Sequence, residues 1–398
     1  MQTNCSLKAK AKQVRFVKLI LDMLKYIDFF NVIFRCTRTS SYLLATKISY
    51  FYLEMAALKN VPYTLKDCCM AAHSQASNKL DCPSLDRVEE LLNATYTDHH
   101  LETHVNAMCQ YVINAGGKRV RPRITLFSAY ALPHFNKELH LDKVCHIGAA
   151  IETLHAATLI HDDVIDKAPL RRGKPTLNET DGNHAAVLAG DYMFTCCFNL
   201  LEKAHDFDII IALNHTLSQL VVGELYQLEN EGDINLSLDT YYKTIYAKTG
   251  VLFELAASAP AIFIKEDNNL IEPLREYGRQ LGIAFQIKDD MLDYSADAQA
   301  LGKDPGTDLA DHRITLPVLV AINNCHSDEE RKQLLKDIEE VNLSGVKAAI
   351  ERTNALQICE QEAMKAADRA IDCLKVLSDS SYKESLIYIC HKAVDRAH

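Results

Sequence analysis

"KVCHIGAAIETLHAATLIHDDVID", Lys143–Asp166, decides the fold class. Val144, Ile147, Ile151, Leu154 and Thr158 recur at intervals of three and four, the period of an α-helix. The apolar stretch then ends on Asp162, Asp163 and Asp166, a D-D-x-x-D pattern. The same period runs outward on both sides. It is present in "SLDRVEELLNATY" (Ser84–Tyr96), with Ser84 as the expected N-cap, and in "HAAVLAGDYMFTCCFNLLEKA" (His184–Ala204). It continues through Asp208–Asn230, Leu238–Phe263 and Leu270–Ser295, and Ser327–His398 reads as charged helix without evident chemistry. No glycine-rich phosphate loop and no alternating strand pattern interrupts this series, so the expected fold is all-α.

Composition agrees. Of 398 residues 48% are hydrophobic and 24% charged, enough to bury a large core, and 14 glycines, 10 prolines and no tryptophan favour long helices. The net charge of −10 argues against nucleic acid as a general partner. Thirteen cysteines include no C-x-x-C pair, which suggests neither a disulfide framework nor a zinc site, but reduced core residues. No run of eighteen uncharged apolar residues marks a transmembrane helix.

The polar, irregular "HSQASNKLDCPS" (His73–Ser84) divides an N-terminal extension, residues 1–82, from a main domain, residues 83–398. The first fifty residues carry a local charge of +7. Within them "FVKLILDMLKYIDFFNVIF" (Phe16–Phe34) has amphipathic helical spacing. Two readings stand side by side: a membrane-surface or targeting segment, and a plain extension of the main domain.

The aspartate pattern occurs twice. Asp289, Asp290 and Asp293 in "QIKDDMLDY" repeat Asp162, Asp163 and Asp166. On a helix, i and i+4 share a face, so each motif presents two carboxylates side by side. A solvated helix face explains one acidic cluster. It explains poorly two that both close an apolar core helix, because burying like charges is costly unless a cation binds. Hard oxygen ligands suit Mg²⁺, which is commonly shared with phosphate oxygens. Two basic clusters complete the pattern: Arg171, Arg172 and Lys174 in "RRGKPT", and Lys118, Arg119, Arg121 and Arg123 in "GGKRVRPR". Two metal motifs and two basic clusters read most economically as two diphosphate sites.

These stretches closely resemble the trans-isoprenyl diphosphate synthases, and among them the long-chain, octaprenyl-type members. "GGKRVRP", "LHAATLIHDDVID", "RRGKPT", "LAGDYMF", "GELYQL", "KTG", "GIAFQIKDDMLDY" and "GKDPGTDL" stand in family order from about Leu85 to Pro317. The resemblance implies helices around a deep cavity with the aspartate motifs at its mouth, usually as a homodimer. It implies a Mg²⁺-dependent, head-to-tail condensation of isopentenyl diphosphate with an allylic diphosphate. Lys118, Arg121, His155 and Arg172 would hold isopentenyl diphosphate. Arg171, Lys248, Thr249, Gln286 and Lys303 would serve the allylic diphosphate. Asp162, Asp166 and Asp289 would be the principal metal ligands, with Asp163, Asp290 and Asp293 in support. The usual "EGKPTLP" reads "DHRITLP" here, so Arg313 stands where a lysine is expected.

Chain length is read from Ala157 and Thr158, five and four residues before Asp162. Both are small, so the growing chain is expected to pass them toward Leu154 and Ile151. Three alternatives remain open at this point: a terpene cyclase, a non-catalytic subunit of a heteromeric synthase, and a short-chain synthase. A complete second motif and "GGKRVRP" argue against the cyclase, and the presence of all six aspartates argues against the subunit. The expected product serves as a quinone side chain. The expected location is the cytoplasm with peripheral membrane contact, or the mitochondrial matrix for a eukaryotic source.

Overall fold

A computed structural model describes residues 81–96, 103–295 and 306–395. Residues 1–80 of the extension and Lys303 lie outside these residues. Helices α1 (Leu85–Ala94), α2 (Thr103–Asn114), α3 (Val120–Ala131) and α4 (Lys137–Ile165) come first. A hairpin of two-residue strands, β1 (Leu170–Arg171) and β2 (Lys174–Pro175), follows. Next are α5 (Leu177–Thr180), α6 (Asn183–Glu202), α7 (Phe207–Glu229) and α8 (Leu238–Ile245). A π-turn, Tyr246–Gly250, joins α8 to α9 (Val251–Ile264), and α10 (Asn268–Tyr294) follows. The chain closes with α11 (Thr307–Ala310), α12 (Leu316–Asn323), α13 (Asp328–Glu339), α14 (Leu343–Arg352), α15 (Ala355–Cys373) and α16 (Ser381–Val394). Apart from the small hairpin the described residues form an all-α fold.

The central helix is α4. Its N-terminus is capped by Asn136, whose side chain accepts from the Glu138 and Leu139 amides. Ile147, Ile151 and Leu154 are fully buried, each worth ~1.5–3 kcal/mol by removal from water. Around it, α4 packs on α6 and α3, α9 packs on α10 and α3, and α10 packs on α15. The Tyr277 hydroxyl, itself buried in α10, donates to the Leu386 carbonyl at 3.1 Å and ties in α16. Ser84 does not cap α1: it takes a left-handed conformation and its hydroxyl pairs with the Tyr130 hydroxyl at 3.0 Å.

Two helical stretches do satisfy the length and hydropathy of a membrane span, Phe207–Glu229 and Leu238–Ile264. The second is two segments joined by the π-turn and packs on α10, while the first packs on α9. The π-turn is held by contacts too close for any side chain. A Cβ on Gly223 of α7 would stand 2.5 Å from the Ala247 Cβ. One on Gly282 of α10 would stand 2.6 Å from the Gly250 Cα. Expanded turns of this kind recur at functional sites because they break the regular presentation of side chains. This one carries Lys248 and Thr249.

Candidate active site

A cavity of about 570 Å³ opens beside the N-terminus of α3. Lys118 and Arg121 line it from α3 and the loop before it, His155 from α4, and Arg172 from the hairpin. Phe285 and Leu292 of α10 supply apolar wall. The loop is shaped by Gly116 and Gly117 at φ +96° and +150°, and by Arg119 at φ +49°. A Cβ on Gly117 would stand 3.0 Å from Arg172 Nη1, and that guanidinium donates to the Gly116 carbonyl.

The four cations of "GGKRVRPR" therefore divide. Arg119 donates to Glu89 at 2.8 Å, to Glu152 at 3.2 Å and to the Ile113 carbonyl at 2.8 Å. Arg123 donates to the Lys118 carbonyl at 3.1 Å. These two build the loop, although Arg119 with its partner Glu152 also borders the cavity that Lys118 and Arg121 face. Arg121 also stacks on Phe253, its guanidinium carbon 4.5 Å from the ring centre. Burial, and then the charges of Arg121, Arg172, Arg171 and Arg119, push the His155 imidazole well below its ordinary pKa. His155 is thus a neutral member of a cationic wall. Arg171 does not line this cavity; it donates to Asp163 at 2.8 Å, and both border a small pocket against α2.

Asp162, Thr158 and His155 fall on one face of α4, at spacings of four and three residues, and all three keep partial exposure. Burial raises the Asp162 carboxyl to about 6; Glu224 and Asp166 push the same way, while Lys248 opposes them. Burial also tends to discharge Lys248, but Glu224, Asp162 and Asp166 outweigh it and hold the ammonium firmly charged. Lys248 Nζ lies 3.0 Å from Glu224 Oε2. Asp166 accepts from Arg313 at 2.5 Å, and that guanidinium also contacts Asp311 at 3.0 Å and Asp308 at 3.7 Å. Here the arginine that replaces the expected lysine joins the first motif to the loop beyond the second.

The three aspartates of the second motif have different surroundings. Asp289 is half-buried and shares a helical face with the cavity-lining Phe285 and Leu292. Asp290 is buried, accepting from the Tyr241 hydroxyl at 2.7 Å and from Gln286 Nε2 at 2.8 Å. Asp293 is buried too, and its carboxylate accepts the Thr307 and Asp308 amides at 3.1 and 3.0 Å. The i, i+4 pairing expected of Asp289 and Asp293 is therefore not presented to one open face. Thr249 donates to Gln286 Oε1 at 2.7 Å, which links the π-turn to this motif. Among the described residues no three histidine, cysteine or carboxylate side chains form a self-contained metal nest. A cation here would draw its remaining ligands from water and phosphate, as Mg²⁺ commonly does.

Of the chain-length candidates, Ala157 and Leu154 are fully buried, as is Ile151, and none is among the residues lining this cavity. Each residue turns a helix by ~100°, so Ala157 lies ~200° from His155, on the far side of α4. Thr158 alone of the three stays on the open face; its hydroxyl donates back to the His155 carbonyl at 2.8 Å. Four residues near the site were not singled out from sequence: Glu224, Tyr241, Glu152 and Asp308. Glu224 and Asp308 lie in the quoted "GELYQL" and "GKDPGTDL", where a carboxylate beside a motif was the available signal. Burial and the carboxylates of Asp290, Asp293 and Asp289 push Asp308 well above the usual range. Glu152 and Tyr241 lie on apolar helices with nothing local to mark them.

Comparison with known proteins follows the same span. Residues 102–353 match the family model described as polyprenyl synthetase. The chain is 37% identical over 297 residues to the octaprenyl diphosphate synthase of Escherichia coli (strain K12), covering 73% of this chain and 90% of that one. It is equally 37% identical over 295 residues to an all-trans-nonaprenyl-diphosphate synthase (geranyl-diphosphate specific) of Rhodobacter capsulatus, covering 73% and 89%. Among solved structures, a polyprenyl synthase from Caulobacter crescentus CB15, complexed with calcium and isoprenyl diphosphate, superposes with a TM-score of 0.73. That pair is 32% identical, over 79% of this chain and 95% of the other.

Proposed function

We infer the reaction from one premise: the chain belongs to the polyprenyl synthetase family. It is a prenyltransferase that makes a long-chain polyprenyl diphosphate. In our reading isopentenyl diphosphate condenses head-to-tail, in the trans geometry, with an allylic diphosphate. One observation carries the substrate assignment. Lys118, Arg121, His155 and Arg172 converge on one cavity whose walls, α4 and α10, also carry the two aspartate motifs.

Lys118, Arg121 and Arg172 hold the diphosphate of isopentenyl diphosphate through charge-assisted hydrogen bonds. Neutral His155 adds an N–H donor without repelling its cationic neighbours. Asp162 and Asp166, whose crowding with Glu224 is relieved by positive charge, fit a hard divalent cation, and Asp289 would supply a further oxygen from the second motif. Magnesium, when bound there, would screen the allylic diphosphate and ease its departure. Lys248 stabilises the same developing negative charge. Ionisation of the allylic C–O bond leaves a delocalised cation, faced by the Thr249 oxygen. The double bond of isopentenyl diphosphate attacks its terminal carbon, and a proton passes to the departing diphosphate. Phe285 and Leu292 keep water from the cation.

A homodimer is our proposed assembly. It is supported by four large apolar side chains about half exposed on α6 and α7: Leu188, Phe207, Ile211 and Val222. A quinone side chain as the product's destination, peripheral membrane contact through the extension, and the cellular locations given above are proposals of the same standing. The deciding experiment is incubation of the purified chain alone with isopentenyl and farnesyl diphosphates and Mg²⁺, with the products separated by length. Long polyprenyl diphosphates, lost on chelation and restored by Mg²⁺, are expected. No condensation by the chain alone would reject the reading and point to a partner subunit.

A further inference from the structure

Tyr241 lies on α8, seven residues before Lys248, in none of the charged motifs. It is buried, and its hydroxyl donates to Asp290 Oδ2 at 2.7 Å. Asp290 Oδ1 accepts from Gln286 Nε2 at 2.8 Å, and Gln286 Oε1 accepts from Thr249 Oγ1 at 2.7 Å. Every direction in this chain is forced by the one before it. The phenol O–H is the donor to the Asp290 carboxylate. A carboxylate accepts only, so the Gln286 amide must turn its NH₂ toward Asp290 and its oxygen toward Thr249. Thr249 must then donate its single proton to Gln286. The lone pairs of its oxygen are left for whatever stands on the other side.

We propose that Tyr241 is a positioning residue: through Asp290 and Gln286 it orients the Thr249 hydroxyl so that oxygen lone pairs, not a proton, face the allylic cation. The proposal rests on the placement of Thr249 beside the reacting carbon given above. Without the phenol, the Asp290 carboxylate loses the donor that fixes its orientation, so its contact with the Gln286 amide weakens and the amide can turn over. Once turned over, that amide donates to Thr249, and the threonine proton points toward the cation, where it is repulsive.

The test compares Thr249→Val, Tyr241→Phe and the double variant in a single turnover of farnesyl with isopentenyl diphosphate and Mg²⁺ at saturation. Binding of isopentenyl diphosphate is measured alongside by calorimetry. Each single variant should slow condensation roughly tenfold, the scale of one buried hydrogen bond. Because Tyr241 acts through Thr249, the double variant should be no more than about twofold slower than Thr249→Val. Isopentenyl diphosphate should bind within about twofold of the unaltered protein in all three, which general loosening of the fold would not allow. A Tyr241→Phe rate equal to the unaltered one overturns the proposal, and so does a double variant slowed multiplicatively, roughly a hundredfold. Full activity of Thr249→Val would instead reject the placement of Thr249 and the proposal with it. If Tyr241→Phe does not fold, Gln286→Leu cuts the same chain one link closer and must show the same non-additivity with Thr249→Val.

Discussion

His155 stands among arginines without carrying a charge of its own. Its pKa in the folded protein is pushed well below the ordinary 6.5 by burial and by Arg121, Arg172, Arg171 and Arg119. Below pH 6.5 the unfolded chain therefore binds a proton that the folded one refuses. Linkage gives the sign: this contribution is fully present above 6.5 and is lost as pH falls from there toward the lowered folded value. Thermal unfolding of the ligand-free protein at pH 5.5 and 7.5 measures it. His155→Asn should narrow the difference between the two midpoints, and an undiminished difference would contradict a neutral His155. Two residues away the same helix separates neighbours by face. Thr158→Phe puts a ring on the partly exposed face shared with His155 and Asp162, and should shorten the products while leaving stability nearly unchanged. Ala157→Phe should destabilise by ~1–3 kcal/mol, because a well-packed core has no room for the ring. Product chromatography and denaturant titration of both variants test the assignment. Shortened products from Ala157→Phe alone would reverse it.

The π-turn shows how an element can oppose its own propensity. Alanine is favoured over glycine inside a helix by ~1 kcal/mol, so Gly282→Ala should stabilise an isolated α10. In the folded protein the added methyl would stand 2.6 Å from the Gly250 Cα, a backbone atom that cannot swing aside. Packing wins over propensity here, since overpacking against rigid neighbours costs ~1–3 kcal/mol. Gly282→Ala should lower stability, and it should slow single-turnover condensation more than it weakens binding of isopentenyl diphosphate. The reason is that Gly250 adjoins Thr249 and Lys248, not the wall built by Lys118, Arg121 and Arg172. A variant as stable and as fast as the unaltered protein would show that the turn tolerates displacement. The loop before α3 works by another means. Arg119 is spent on Glu89, Glu152 and the Ile113 carbonyl, and this anchoring presents Lys118 and Arg121 to the cavity.

At the scale of the molecule, α6 and α7 leave Leu188, Phe207, Ile211 and Val222 about half exposed. Scattered apolar side chains are ordinary on a protein surface, but four large ones on two consecutive helices suit a self-complementary interface. Ile211→Asp places a charge on that face and should convert the proposed dimer to a monomer in light scattering at micromolar concentration. An assembly unchanged in mass would remove this face from the proposed interface.

Helical period, the two aspartate motifs and the basic clusters were legible in the sequence, because each is a local pattern of spacing and charge. They determined the all-α class and the family, and they marked the helices that border the cavity. What they could not determine was which partner each charge finds in the fold. Asp163, Asp290, Asp293, Arg119 and Arg123 look equivalent to their neighbours in the sequence, yet each is engaged by a partner elsewhere in the fold. Ala157 looked like a depth mark, and the fold buries it fully. Period fixes which residues of a helix share a face, and only the packing of the other helices decides which face stays open. Tyr241 is the extreme case: its role depends on a carboxylate forty-nine residues away, brought within 2.7 Å by tertiary contact alone.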